Sequence, residues 1–138
     1  MAFDQIEDDI ERLASKHGGD LSFTADATIT AGQLVTITGD NAVSPSDTDG
    51  EEVVGVATQN AAEGDTVMVQ GVGTLSTVRA GEAITGGDFV SSYGGTGDAG
   101  EAGVAGTGDY VVGMATEDIA DEDYGQVSLT PGGQVNEQ

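Results

Sequence analysis

The sequence contains one β unit written twice, and this duplication is the strongest constraint on the fold. Residues 53–58 (VVGVAT) return as residues 111–116 (VVGMAT). In both copies an Ile-Thr-x-Gly segment precedes this core and a strand-like run follows it. Equivalent positions lie 55 residues apart before the core (29 to 84), 58 within it (53 to 111) and 60 after it (67 to 127). The second copy therefore has longer loops and keeps the same strands, as in a repeat architecture.

Short runs rich in Val, Ile and Thr follow one another from residue 21 onward. Apolar and polar residues alternate in residues 34–38 and 66–70, as a half-buried strand requires. The predicted strands are residues 21–24, 27–30, 33–38, 53–58, 66–70, 73–79, 88–92, 110–116 and 125–130. Their even spacing predicts a mainly β protein, a small β-barrel or sandwich built from the duplicated unit.

The two Val-Val-Gly segments are predicted to be paired central strands of one barrel. Gly55 and Gly113 occupy equivalent positions in them. A glycine inside a strand marks a bend or a close approach of another backbone. We therefore interpret the repeated core as scaffold and expect contacts with partners at the parts that break the repeat.

An amphipathic helix is predicted over residues 3–16, before the β units. Its apolar residues are spaced by three or four positions, which places them on one face. This stripe consists of Phe3, Ile6, Ile10 and Leu13. A helix of this length is marginal in water on its own. The stripe must therefore dock, either on the chain's own domain or on a partner, and the sequence leaves both open.

The same features divide the chain into three parts. Residues 1–19 form an N-terminal helix or arm, and residues 20–131 form the β domain, with repeat copies at about 27–79 and 82–130. Residues 132–138 are predicted to be a flexible tail. Two loops interrupt the repeat, at about residues 39–52 and 93–109, and the second is rich in glycine, which favours a mobile surface segment.

The charge balance is strongly acidic, with 25 Asp and Glu against 3 Lys and Arg, a formal net charge of −22. Such a chain repels nucleic acid, because protein affinity for nucleic acid rests on cationic contacts to phosphate. No apolar run is long enough to span a membrane. High salt would screen the self-repulsion, and the composition resembles that of haloarchaeal proteins.

Catalytic and cofactor sites are not predicted. His17 is the only histidine, and its position at a helix end suits a cation that complements the helix dipole. No serine lies in a nucleophile motif. Residues 95–100 match G-x-G-x-x-G, but the strand and helix that a dinucleotide site needs do not flank them.

Acidic residues in two turns offer oxygen ligands that a calcium ion could use. The first set is Asp47, Asp49 and Glu51, and the second is Asp118, Asp121 and Asp123. The first set lacks the twelfth-position Glu and the flanking helices of an EF-hand loop. Surface acidity explains both sets better, so the prediction is that no metal is bound.

The order of the repeated blocks resembles that of the small capsid decoration, or cement, proteins of tailed phages. The segments that carry this resemblance are ITAGQLV, VVGVAT, GDTVMV and GVGTL, within residues 29–75. Together with the second copy, the resemblance covers residues 27–130. It implies a compact β domain on an assembled capsid, commonly a trimer at threefold positions, without catalytic residues. The composition would place this member on a virus of halophilic archaea.

The expected function is therefore that of a structural virion protein which binds the outer capsid surface and stabilises it. Its partners would be the major capsid protein and itself, as a homotrimer, after assembly in the host cytoplasm. The stripe of Phe3, Ile6, Ile10 and Leu13 would pack against the major capsid protein or an adjacent protomer. Two alternatives remain: a module of another surface assembly such as a tail, spike or envelope layer, or a small sugar- or calcium-binding β domain.

Overall fold

The computed structural model describes residues 20–71, 73–94, 99–130 and 135–137. The predicted helix of residues 3–16 lies outside these residues. All the regular secondary structure within them is β, which confirms the predicted mainly β class. The strands are β1 Asp20–Ala25, β2 Leu34–Gly39, β3 Ala42–Pro45, β4 Gly55–Ala57, β5 Thr66–Gln70, β6 Leu75–Arg79, β7 Phe89–Ser92, β8 Ala102–Val104, β9 Gly113–Ala115 and β10 Tyr124–Leu129.

The first five strands form a closed barrel in the order β1-β3-β2-β4-β5, which confirms the predicted barrel. β5 pairs antiparallel with β1, with Val67 opposite Phe23, and so closes the ring. β1 and β3 pair in parallel, with Ala25 opposite Val43. Val67 and Val69 alternate with Thr66, Met68 and Gln70 along β5, and both valines are fully buried in the barrel. A period of two residues therefore fills the interior, as the sequence pattern predicts.

The last five strands form a second sheet with the order β6-β10-β9-β7-β8. This order repeats the barrel strand for strand, with β6 in the place of β1 and β8 in the place of β3. The parallel pairing of β1 with β3 is reduced here to a single bridge between Ala80 and Ala102. The second copy is therefore an opened version of the first.

The strand register corrects the alignment of the two copies after the repeated core. Val67 pairs with Phe23 in the barrel, and Gly125 pairs with Val78 at the equivalent place in the second sheet. The offset between Val67 and Gly125 is 58 positions, where the sequence comparison matched Val67 to Val127 at 60. The sheets also divide the chain between Gln70 and Leu75, so β6 pairs within the second copy rather than the first.

The two Val-Val-Gly segments do not pair with each other, and that prediction is wrong. Gly55 begins β4 in the barrel and Gly113 begins β9 in the second sheet. Each pairs inside its own copy, because the repeat reproduces a whole five-stranded unit rather than two halves of one sheet.

The predicted close approach at these glycines is confirmed. A Cβ on Gly55 would lie 2.1 Å from the carbonyl oxygen of Gln70, and one on Gly113 would lie 2.1 Å from that of Ser128. Real Cβ atoms do not approach a backbone oxygen so closely. Both positions therefore admit the backbone of the neighbouring strand only because they carry no side chain.

Each loop that interrupts the repeat contains a strand that the hydrophobic pattern does not reveal. β3 lies in the first loop and β8 in the second. The two strands are only four and three residues long, too short to show a period of two, although Val43 and Ala102 within them are fully buried in the two cores. The predicted strand at residues 27–30 is reduced to one bridge between Ile29 and Ala61.

The molecule has two hydrophobic cores, and the second of them joins the two copies. The first lies in the barrel and consists of Ala25, Ile29, Val35, Val43, Ala57, Ala61, Val67 and Val69. The second contains the buried side chains of the second sheet together with Leu34, Val53 and Val56 of the first copy. Three side chains of the first copy thus complete the core of the opened second copy.

Residues 135–137 belong to the segment predicted as a flexible tail, and they are hydrogen-bonded to the second copy. Val135 forms a bridge with Tyr110. The backbone N–H of Asn136 donates to the carbonyl of Asp109 at 2.8 Å, and its carbonyl accepts from Gly108 at 2.7 Å. Through these bonds, residues that follow β10 in the sequence pair with residues 108–110.

Candidate interaction surface

A cleft of about 420 Å³ lies between the two copies. Its lining includes Gln33, Arg79, Glu101 and Tyr124. The side chain of Gln33 accepts from the N–H of Thr30 at 2.7 Å and donates to the carbonyl of Ala99 at 3.0 Å. Arg79 and Glu101 form an ion pair with an N–O distance of 3.6 Å. Of these bonds, the one from Gln33 to Ala99 joins the first copy to the second, and the ion pair lies within the second copy.

His17, the one histidine of the sequence, lies outside the described residues. Among the described residues, the buried Ser91 donates its hydroxyl to the carboxylate of Asp109 at 3.5 Å, which is a long hydrogen bond. Buried hydroxyl groups occur at Ser46 and Ser92, and they hydrogen-bond to each other at 2.9 Å. A serine nucleophile needs a neighbouring base that takes its proton. The group that accepts from the Ser92 hydroxyl is the hydroxyl of Ser46, which is not such a base.

Two of the acidic residues weighed as calcium ligands, Glu51 and Asp118, accept hydrogen bonds from backbone N–H groups. The carboxylate of Glu51 accepts from the N–H groups of Asp47 and Thr48, both at 2.8 Å. Asp118 accepts from the N–H of Gly86 at 2.8 Å. Among the described residues, no group of three or more Asp, Glu, His or Cys is arranged to hold a metal ion.

The described end of the glycine-rich loop contacts the first copy. Residues 95–98 of the loop lie outside the described part. Gly100 donates its N–H to the carbonyl of Ser46 at 2.6 Å and accepts from the N–H of Leu34 at 2.8 Å. Gly100 has a φ of +83°, and a Cβ there would lie 2.6 Å from the Cβ of Gln33. The loop thus forms part of the joint between the copies.

An apolar surface crosses four strands on the outer face of the second sheet. The strand register places Leu75, Ser128, Met114 and Phe89 directly opposite one another, from β6 through β10 and β9 to β7. Directly opposed residues lie on the same face of a sheet. Leu75 is 55% exposed, Met114 43% and Phe89 41%. We call these four residues the apolar row.

The matching positions of the first copy are covered. The repeat relates Phe89 to Leu34 and Met114 to Val56, and these two first-copy residues are 0% exposed. Both belong to the core that they share with the second sheet. The same face of the repeated unit is thus buried inside the molecule in the first copy and open in the second.

The predicted partner-binding stripe of Phe3, Ile6, Ile10 and Leu13 lies outside the described residues, so the structure places none of its side chains. The apolar row was not predicted from the sequence. The signal for it is the repeat itself, because Phe89 and Met114 occupy positions whose equivalents require a cover. Within the part of the chain that the structure describes, no helix is long and apolar enough to cross a membrane.

The duplicated β unit has a cleft whose polar groups are bonded to one another, and it exposes the apolar row. These features are typical of a structural module. The family model for phage cement proteins matches residues 14–130, and the chain belongs to that family. It is therefore a structural, capsid-associated protein located at the capsid surface of the virion.

Other comparisons agree on the fold. The head fiber gp8.5 N base of bacteriophage phi29 superposes with a TM-score of 0.63 at 19% sequence identity. The match covers 83% of this chain and 96% of the fiber base. A search of curated proteins found no significant match.

Proposed function

We propose that this protein binds the outer surface of an assembled capsid and stabilises it, as a homotrimer without catalytic activity. The observation that carries the proposal is the family match, which spans both copies of the repeat. The engaged polar groups of the cleft at Arg79 and Glu101 support a role in contact rather than in chemistry.

Binding to a lattice stabilises both the lattice and the bound protein. A protein that binds only the folded and assembled state adds free energy to that state by mass action. The described chain gains from such contacts, because several large apolar side chains outside the apolar row, including Leu21 and Ile37, are about half exposed. Burial of each would contribute roughly 25 cal/mol per Å² of apolar surface.

The acidic composition supports the further proposal that the capsid belongs to a virus of a halophilic host. With a net charge of −22, neighbouring copies repel one another strongly at low salt. At molar salt the Debye length is about 3 Å, so that repulsion acts only between charges in near contact. A closely spaced array of such chains then becomes stable.

The direct test is sedimentation of the purified protein with capsids that lack it, in molar KCl. Binding to capsids together with a higher capsid melting temperature is the expected result. Isolated tails and envelope fragments serve as controls, and binding to these in place of capsids would overturn the proposal. Analytical ultracentrifugation tests the trimer, which would have three times the chain mass of 13.8 kDa.

The stripe of Phe3, Ile6, Ile10 and Leu13 would pack either against the major capsid protein or an adjacent protomer, or against the chain's own domain. Removal of residues 1–18 tests the first of these destinations. Loss of capsid sedimentation would support it, and undiminished sedimentation would exclude it. The chain's own domain is the other destination, and the described surface favours it.

A further inference from the structure

The apolar row lies on the face of the second copy whose equivalent in the first copy is buried. Leu34 and Val56 show what the cover does in the first copy, where both side chains lose all contact with solvent. Phe89 and Met114 occupy the same positions in the second copy and keep about two fifths of their surface exposed. An apolar element of the right length is therefore missing from this face among the described residues.

The chain holds one apolar element of this kind, the stripe within residues 3–16. The described chain begins at Asp20, which pairs with Gln70 at the end of β5. Gln70 lines the same cavity as Leu75, the first member of the apolar row. Residues 1–19 thus enter the described structure beside one end of the row.

The dimensions of the two elements agree. In a helix, Phe3 and Leu13 are separated by about 15 Å along the axis at 1.5 Å per residue. The row spans three strand spacings, about 14 Å in total. Residues 17–19 add about 10 Å of connecting chain when extended, and Gly18 and Gly19 among them permit a sharp change of direction.

We propose that residues 3–16 pack as an amphipathic helix along the apolar row of the same chain. Leu13 then lies near Leu75, at the end where the chain enters the barrel, and Phe3 lies near Phe89. A segment tethered next to its docking face has a high effective concentration, which favours the same chain over a second copy. The proposal is independent of capsid binding and is tested on the isolated protein.

Charge opposes this packing at low salt. Residues 1–19 carry Arg12 and Lys16 beside five carboxylates, a net charge of −3, and residues 20–138 carry the remaining −19 of the total of −22. Burial of apolar surface therefore has to drive the packing, and salt that screens the repulsion favours it.

Limited digestion with trypsin tests the proposal, because trypsin cleaves after Lys and Arg and the chain has three such sites. In Phe89→Asp, cleavage after Arg12 and Lys16 is expected to be about tenfold faster than in the natural chain, as for the release of a segment held by about 1.4 kcal/mol. Ile37→Asp is the matched control, since Ile37 is 51% exposed on the barrel strand β2. Equal cleavage rates in the natural chain and Phe89→Asp would overturn the proposal.

The third site, Arg79, separates release of the segment from unfolding. It lies within β6 and pairs with Glu101. Cleavage after Arg79 is expected to stay slow in both variants while the N-terminal sites are cut. If cleavage after Arg12 and cleavage after Arg79 accelerate together, the Phe89→Asp variant unfolds globally. Met114→Asp then replaces it in the comparison, since Met114 is 43% exposed on β9. Equal rates with that variant as well overturn the proposal.

A disulfide experiment identifies the chain that supplies the helix. The natural sequence has no cysteine, so an engineered pair is the only one that can form. Ala14→Cys with Leu75→Cys is expected to give a cross-link within one chain, since Ala14 adjoins Leu13, which the proposal places beside Leu75. The control is Ala14→Cys with Ser44→Cys, in which Ser44 is a partly buried serine of the barrel. Cross-linked oligomers, or a yield equal to that of the control, would overturn packing within the same chain.

Discussion

The hydroxyl group of Ser92 donates a hydrogen bond of 2.9 Å to the hydroxyl group of Ser46. The two residues are 46 positions apart, and both are 0% exposed. Ser92 ends β7 in the second sheet, and Ser46 follows β3 in the barrel. Ser46 also binds Leu34 and Gly100 through its backbone, so this pair lies where the two copies meet.

Replacement of either serine by alanine is expected to destabilise the protein by about 1–2 kcal/mol, because the remaining hydroxyl is buried without its partner. The double variant is expected to cost less than the sum of the two single variants, since no orphaned hydroxyl remains. Guanidinium unfolding of the four proteins measures this coupling. Ser22→Ala, at an exposed position on β1, is the control. Strictly additive effects would contradict the bond.

Gly55→Ala and Gly113→Ala are expected to destabilise the fold by about 3 kcal/mol or more each, because the new methyl group meets a backbone oxygen of the neighbouring strand. Gly39→Ala is the matched control. It also lies in a strand, and its Cβ would be in ordinary contact at 3.7 Å from the Cβ of Ala42. Thermal unfolding that ranks all three variants alike would show that the strands separate easily at Gly55 and Gly113.

Gly100→Ala is expected to cost about 2–3 kcal/mol, from its positive φ and from contact with Gln33. Gly108→Ala separates these two causes. Gly108 has a φ of +89° with no atom within 4 Å of the added Cβ, so its cost is about 1 kcal/mol from the backbone alone. Chemical denaturation measures both variants. An equal cost would mean that the joint at Gly100 adjusts freely.

Dilution of salt is expected to lower the melting temperature by several degrees or more between molar and about 0.1 M KCl, where the Debye length grows from about 3 Å to about 10 Å. The exposed turn at residues 117–123 concentrates this repulsion, with five carboxylates: Glu117, Asp118, Asp121, Glu122 and Asp123. Circular-dichroism melts across that range measure the effect. A constant midpoint would contradict adaptation to high salt.

The repeat and the strand glycines were predictable from sequence, because both leave a local signature. A recurring VVG core requires no knowledge of distant contacts, and a glycine inside an apolar strand indicates a close neighbour. The strands β3 and β8 were not predictable in this way. Their sequences, AVSP and AGV, are too short to show a period of two. Pairing with neighbouring strands and the burial of Val43 and Ala102 place them in the sheets.

The relationship between the two copies was also beyond the sequence. The sequence pattern is the same in both copies, so the two Val-Val-Gly segments were predicted to pair with each other. In the structure each segment belongs to a separate five-stranded sheet. Leu34 and Phe89 occupy equivalent apolar positions, yet one is buried and the other is exposed. Burial here depends on how two units stack, and periodicity reports only the geometry within one unit.

The second core uses side chains of the first copy, whereas the barrel core uses none of the second copy, and this difference implies an order of folding. The barrel core uses only residues 25–69, all of which leave the ribosome before the second copy does. The second core needs Leu34, Val53 and Val56 already in place. We expect the first copy to fold during synthesis and to serve as a template for its sibling. A gene with the two copies in reverse order would present the dependent half first, without the surface that completes it.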